Sequence, residues 1–130
     1  MLINGGVNVK DNVLYFDKRK ISIDEMIEHY NFYIELVNKG YELLEANNKK
    51  GARDILKTLT DNLKLEYSYY EKCKVQDIIY KINDKIIIDY CQGIFEAYVK
   101  VYDTNKYSML HSNLYDIEYY LNYWFKKHLK

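Results

Sequence analysis

The chain has 130 residues, 48% of them apolar and 29% charged, and its 19 basic and 19 acidic side chains sum to a formal net charge of zero. That length suits one domain with a self-sufficient core, and the apolar content excludes a disordered chain. Zero net charge excludes a uniformly basic nucleic-acid binder, and only Arg19 and Arg53 carry the planar fork that grips phosphate in paired hydrogen bonds.

Two cysteines, Cys73 and Cys91, stand 18 residues apart. On one helix they are about 27 Å apart, too far to bridge, and read as reduced thiols. We find no charged-then-apolar leader and no run long enough to span a bilayer, so the expectation is a soluble cytoplasmic protein with no membrane partner. Proline is absent, and 16 tyrosines outnumber four phenylalanines and one tryptophan. Abundant Lys, Asn, Ile and Tyr with little Arg looks like the product of an AT-rich genome, and part of the tyrosine count is discounted as codon bias.

Residues 1–6 form a loose start around Gly5-Gly6. Val7 to Ile21 is the only β segment we read: Val7 and Val9 alternate, Asp11-Asn12 has turn chemistry, and Val13 to Phe16 is apolar. Ser22-Ile23-Asp24-Glu25 fits a capping box and starts the first helix. Ile23, Ile27, Tyr30, Ile34, Val37, Tyr41 and Leu44 then follow at steps of three and four as its core stripe, until Asn47, Asn48 and Gly51 end it. Gly40 inside this helix reads as a point of close packing.

The second helix is expected over Ala52 to Lys72, with Leu56, Leu59, Leu63, Tyr67 and Tyr70 inward. Val75 to Val101 is the longest apolar stretch, and the chain is organised around it. Val75, Ile79, Ile82, Ile86, Tyr90, Ala97 and Val101 make one stripe, with the Gly93/Ile94 step out of line. As a helix it spans roughly 40 Å. A rival reading makes residues 78–90 a β-hairpin turning at Asn83-Asp84, but the stripe's regularity across that turn favours helix. The last helix is expected from Tyr107 to Leu129, with Leu110, Leu114, Ile117, Leu121 and Trp124 inward and Lys126, Lys127 and His128 offsetting its negative end. The fold class is therefore mainly α: an antiparallel four-helix bundle with a short N-terminal β-hairpin or extended segment. It is a single domain over 1–130, with 1–21 extended and 22–129 helical.

Catalytic signals are missing. Three histidines are present, His29, His111 and His128. His29 and Glu25 are four apart, which is metal-ligand spacing, but a second such pair is lacking and a surface ion pair is the better reading. His128 reads as a helix-end charge and His111 as a first-turn surface residue. Cys91 reads as core, whereas Cys73 between Lys72 and Lys74 reads as an exposed thiol. The five glycines build no phosphate loop. We therefore assign no catalytic residue, no metal and no cofactor.

Surface signals remain. Residues 1–46 carry 5 basic and 8 acidic side chains, and residues 47–74 carry 7 and 4. Glu28, Glu35 and Glu42 recur every seven residues, an acidic stripe suited to a basic groove on a target. Lys49, Lys50, Arg53 and Lys57 form a candidate basic patch able to hold a phosphate at a helix start. Tyr67, Tyr69 and Tyr70 cannot all face inward, nor can Tyr119, Tyr120, Tyr123, Trp124 and Phe125, so some rings lie outside or at an interface.

The run Asp89-Tyr90-Cys91 followed by Phe95-Glu96-Ala97-Tyr98-Val99 resembles the closing helix of the small helical subunit of type III CRISPR complexes. That resemblance covers eight residues of 130. It implies a helical subunit lining RNA, for which the charge pattern provides no extended basic surface.

The sequence thus points to a non-catalytic protein–protein binding module, of the bacterial or phage inhibitor kind (toxin-immunity or anti-defence). It would block a toxin or a nucleic-acid-binding defence protein through Glu28, Glu35, Glu42, Tyr69, Tyr119, Tyr120 and Tyr123. A homodimer through the Tyr/Trp face is compatible with this. The alternatives are a helical subunit binding nucleic acid through the local basic patch, and an unrecognised small enzyme.

Overall fold

A computed structural model describes residues 2–3, 7–8, 13–14, 22–72, 85–102 and 109–129. Among the described residues there are four α-helices: α1 (Ile23–Glu45), α2 (Lys49–Lys72), α3 (Lys85–Val101) and α4 (Leu110–Phe125), the last followed by a 3-10 turn at Lys126–His128. The chain is mainly helical, as expected. Before α1, the backbone at Leu2–Ile3 (β1), Val7–Asn8 (β2) and Val13–Leu14 (β3) pairs antiparallel in the order β1-β2-β3. The turns of the expected hairpin lie outside the described residues.

Each helix boundary has a local cause. At the start of α1, the Glu25 amide donates to the Ser22 hydroxyl oxygen at 3.1 Å. The Ser22 hydroxyl in turn donates to the Glu25 carboxylate at 3.4 Å, so the box closes through the hydroxyl and not the Ser22 amide. At the other end Asn47 adopts φ 60°, the left-handed conformation that asparagine tolerates. The Asn48 amide reaches Leu43 O at 2.8 Å and the Asn47 amide Leu44 O at 3.0 Å, the paired bonds of a Schellman stop. Asn48 then caps α2, its Oδ1 accepting from the Gly51 amide at 2.9 Å. Gly51 therefore lies inside the first turn of α2, which starts at Lys49 and not at Ala52.

Contacts between helices fix their directions. Residues 29 and 33 of α1 face Glu66 of α2, while Gly40 faces Ile55, so α1 and α2 run antiparallel. Tyr30 donates to Asn122 Oδ1 and Gly40 packs on Leu114, which makes α1 antiparallel to α4. Tyr90 packs edge-on to Phe125 with ring centroids 5.0 Å apart, and Gly93 lies under Tyr120 and Leu121. Hence α3 also opposes α4. A side chain on Gly40 would place its Cβ 2.9 and 3.0 Å from the two Leu114 methyls, and this close approach explains a glycine inside a helix.

One hydrophobic core joins the four helices. Leu110, Leu114, Ile117 and Leu121 of α4 are buried as expected, and each contributes about 1.5–3 kcal/mol by leaving water. Trp124 is only partly buried, and Phe125 takes the last inward position. On α2, Leu56, Leu59 and Leu63 are buried, joined by Ala52, Asn62 and Glu66. Tyr67 is half-buried, and the side chain of Tyr70 lies outside the described residues.

Two stripes differ from expectation. On α1 the buried residues are Met26, His29, Tyr30, Phe32, Tyr33, Leu36, Val37 and Gly40, whereas Ile23, Ile27, Ile34, Tyr41 and Leu44 only flank them. The face is rotated because His29, a polar residue, sits at its centre. On α3, Gly93 and Ile94 are buried with Ile87, Tyr90, Ala97 and Val101, while Ile86 is peripheral. The supposed break in the stripe is its middle, where the missing side chain admits α4. The long helix from Val75 is described only from Lys85, and the first half of the rival hairpin lies outside the described residues. Its second half is excluded, because Lys85 to Tyr90 are helical.

Candidate functional site

The outer face of α4 carries a regular group of exposed aromatic side chains. Tyr115, Tyr119 and Tyr123 follow at steps of four, so they form one row on the side opposite Leu114, Ile117 and Leu121. Their exposures are 52%, 44% and 59%. Adjacent rings stack with centroids 6.0 and 6.1 Å apart and planes inclined by 22° and 24°. The row is braced from the side: Tyr119 meets the edge of Tyr120 at 5.1 Å and Tyr123 the edge of Trp124 at 5.2 Å. Such contacts restrict the rings before any partner arrives, which lowers the ordering cost of binding.

Sequence reading named Tyr119 and Tyr123 but missed Tyr115, although its spacing of four from Tyr119 was the available signal. It also placed Tyr69 and Tyr120 in the partner-binding set. Both are half-buried and packed against the core, because they fall on the flanks of the inward faces of α2 and α4. Asp116 and Glu118 flank the tyrosine row, and exposed Lys126 continues it one turn beyond Tyr123. None of these three charges has an ion pair among the described residues. A second aromatic group lies at the α2–α3 seam: Tyr67 stacks on Tyr98 at 4.8 Å, beside exposed Phe95, Val99 and Tyr102.

The acidic stripe of α1 is partly as expected. Glu35 and Glu42 point to solvent, with Glu45 nearby. Glu28 is half-buried. Burial raises its carboxyl above the usual range, opposed by His29 and reinforced by Glu25 and Asp24. Of the basic patch, Lys49, Lys50, Arg53 and Lys57 are all exposed. Lys57 is paired with Asp61 at 3.0 Å, and Asn48 already occupies the Gly51 amide at the helix start.

His29 is a correction. It does not pair with Glu25 at the surface; it is fully buried, with Nδ1 3.2 Å from Glu66 Oε2. Tyr33 donates its hydroxyl to Glu66 Oε1 at 2.6 Å, and Tyr90 donates to Glu66 Oε2. All four residues are at 0% exposure. Burial pushes the Tyr33 phenol well above its ordinary pKa, and the Glu66 charge and hydrogen bond push it further. Three helices thus meet on one carboxylate inside the core. The carboxylate ties α1, α2 and α3 together within the core. Glu66 was missed, although it stands three residues after Leu63 on the inward row.

Asp89 makes a second buried carboxylate. His128 Nε2 lies 2.9 Å from its Oδ2, Lys127 Nζ 3.3 Å from the same atom, and Lys85 Nζ 3.0 Å from Oδ1. Burial raises its pKa, but the hydrogen bonds from His128, Lys85 and Lys127 outweigh that and leave it below the ordinary value. His128 is therefore a clasp holding the C-terminal turn to α3, beyond the helix-end charge that was expected. His111 is exposed, as expected, with its ring 5.2 Å from Tyr41. Cys91 packs against the core, and burial raises its thiol to about 12. Cys73 lies outside the described residues.

Among the described residues no group of three or more His, Cys, Asp or Glu side chains is placed to hold a metal ion. Among them, too, no helix is long and apolar enough to cross a membrane. No protein-family model, curated protein or solved structure matches the chain, so the short resemblance over residues 89–99 stands without a wider match.

Proposed function

We propose that this chain is a non-catalytic protein-binding module of the inhibitor kind, a bacterial or phage immunity or anti-defence protein that acts by occluding a partner protein. The observation that carries this reading is the braced row of Tyr115, Tyr119 and Tyr123. Exposed, pre-ordered tyrosines are the residues that interfaces enrich, because they bury much area at little entropic cost. The acidic line of Glu35 and Glu42 on α1 is a second contact face, complementary to a basic groove such as that of a nucleic-acid-binding defence protein or a toxin.

Nucleic acid binding, as by a CRISPR-type helical subunit, is the second reading. It draws on exposed Lys49, Lys50 and Arg53. It has less support, because Asp54 and Asp61 are exposed on the same helix and Asp116 and Glu118 border the stacking rings. Catalysis has the least, since His29 is sealed in the core and His128 is committed to Asp89.

The test is affinity capture from host lysate with wild type, Glu35→Lys/Glu42→Lys and Tyr119→Ala, each first shown to keep its helical circular dichroism. The reading expects a specific protein held by wild type and lost from at least one variant, whose activity the purified chain suppresses stoichiometrically. Equal capture by all three chains would show that neither face binds it.

A further inference from the structure

We propose that the α4 tyrosine face is occupied by a second copy of this chain, with the two α4 helices antiparallel about a two-fold axis beside Leu121. The inference rests on reading α4 as a protein-contact face, and names what covers it.

The outer face of α4 is self-complementary. A two-fold contact pairs residue i with residue j and j with i, so a face can use it only if its own two halves match. In α4 they do. About a midpoint at residue 121, Tyr119 meets Tyr123 of the second copy, and Tyr123 meets its Tyr119. The same midpoint pairs Asp116 with Lys126, and Lys126 with Asp116. Asp116 and Glu118 make the first half of the face acidic, whereas Lys126 and Lys127 make its end basic. Asp116 and Lys126 have no ion pair among the described residues, so each is available for this one. Tyr115 falls opposite Lys127, whose ammonium is held by Asp89, so the ring meets that lysine's methylene stem. One register thus pairs Tyr119 with Tyr123 and Asp116 with Lys126, each twice.

The remaining surface is consistent with this. The acidic line of α1 lies on a different helix and stays free in such a dimer, so the assembly presents two copies of it to a partner. Contact through one helix per copy is at the small end of specific interfaces, so a rapidly exchanging dimer with Kd on the order of 10 µM is expected.

The experiment is sedimentation equilibrium of the full chain over a concentration series spanning that value. Wild type should show a monomer–dimer equilibrium. Tyr119→Ser, which removes a central ring twice per dimer, should weaken it at least about 30-fold. Asp116→Lys and Lys126→Asp should each weaken it about 10-fold, because each places like charges together at two symmetric points. Asp116→Lys/Lys126→Asp in one chain should restore it to within about threefold of wild type, since two exposed pairs are re-formed with reversed sign. Circular dichroism of each variant separates lost association from lost fold. A wild-type chain that stays monomeric at about 1 mM, about a hundredfold above that Kd, overturns the proposal. So does a dimer indifferent to Tyr119→Ser, or a double reversal no better than the singles. If the chain is monomeric yet Tyr119→Ala loses a captured foreign protein, the self-association fails while α4 remains a contact face. If neither dimer nor capture depends on Tyr119, both readings fail.

Discussion

Replacing Glu66 by alanine should be among the most damaging single changes in this protein. In the native state its carboxylate accepts from the Tyr33 and Tyr90 hydroxyls and pairs with His29, and every partner is fully buried. Alanine removes these hydrogen bonds in a region water does not reach, at about 1–3 kcal/mol for each one lost without replacement. It also leaves a cavity that the helices only partly close. Local relaxation offsets part of the loss, so the expected cost is about 3–5 kcal/mol. A chain of this size has a total stability of about 5–15 kcal/mol, and the midpoint of thermal unfolding should fall by roughly 10–20 °C. Glu66→Gln keeps the shape and one acceptor oxygen and should cost less than half as much. Urea unfolding followed by circular dichroism measures both, and a double-mutant cycle with Tyr33→Phe isolates the shared bond. A loss below about 1 kcal/mol for Glu66→Ala, within the range of an ordinary surface change, would refute the hub.

Gly40→Ala should destabilise by about 1–3 kcal/mol in urea despite alanine's better helix propensity, because its Cβ would lie 2.9 Å from a Leu114 methyl. Gly40→Ala/Leu114→Ala should not show the sum of the two single losses, because the smaller residue 114 relieves the clash. For Asp89 the sign follows from a folded pKa below the ordinary 3.8. Its contribution is present above the unfolded value and is lost as pH falls through the lower folded value. Urea midpoints should therefore show Asp89→Asn less stable than wild type at pH 7, by about 1–2 kcal/mol, with the gap closing below pH 4. A gap that is constant with pH would remove the clasp of Lys85, Lys127 and His128.

Much of the fold was written in periodicity and local chemistry. The Ser22 cap, the stop at Asn47, and the inward rows of α2 and α4 follow from residue type and spacing, which act within a turn or two of chain. So does the row of Tyr119 and Tyr123, because any helix that buries Leu114, Ile117 and Leu121 must turn those rings outward. What only the tertiary structure decided were the pairings between distant positions. His29 reads as a surface residue until Glu66, 37 residues on, is seen to meet it in the core. Asp89 is an ordinary helix carboxylate until His128, 39 residues on, closes over it. Polar residues buried in this way look solvated in sequence, because the group that makes burial tolerable is set by how helices cross and not by the neighbours along the chain. The same holds for Gly40, whose place in α1 is explained by a leucine on α4.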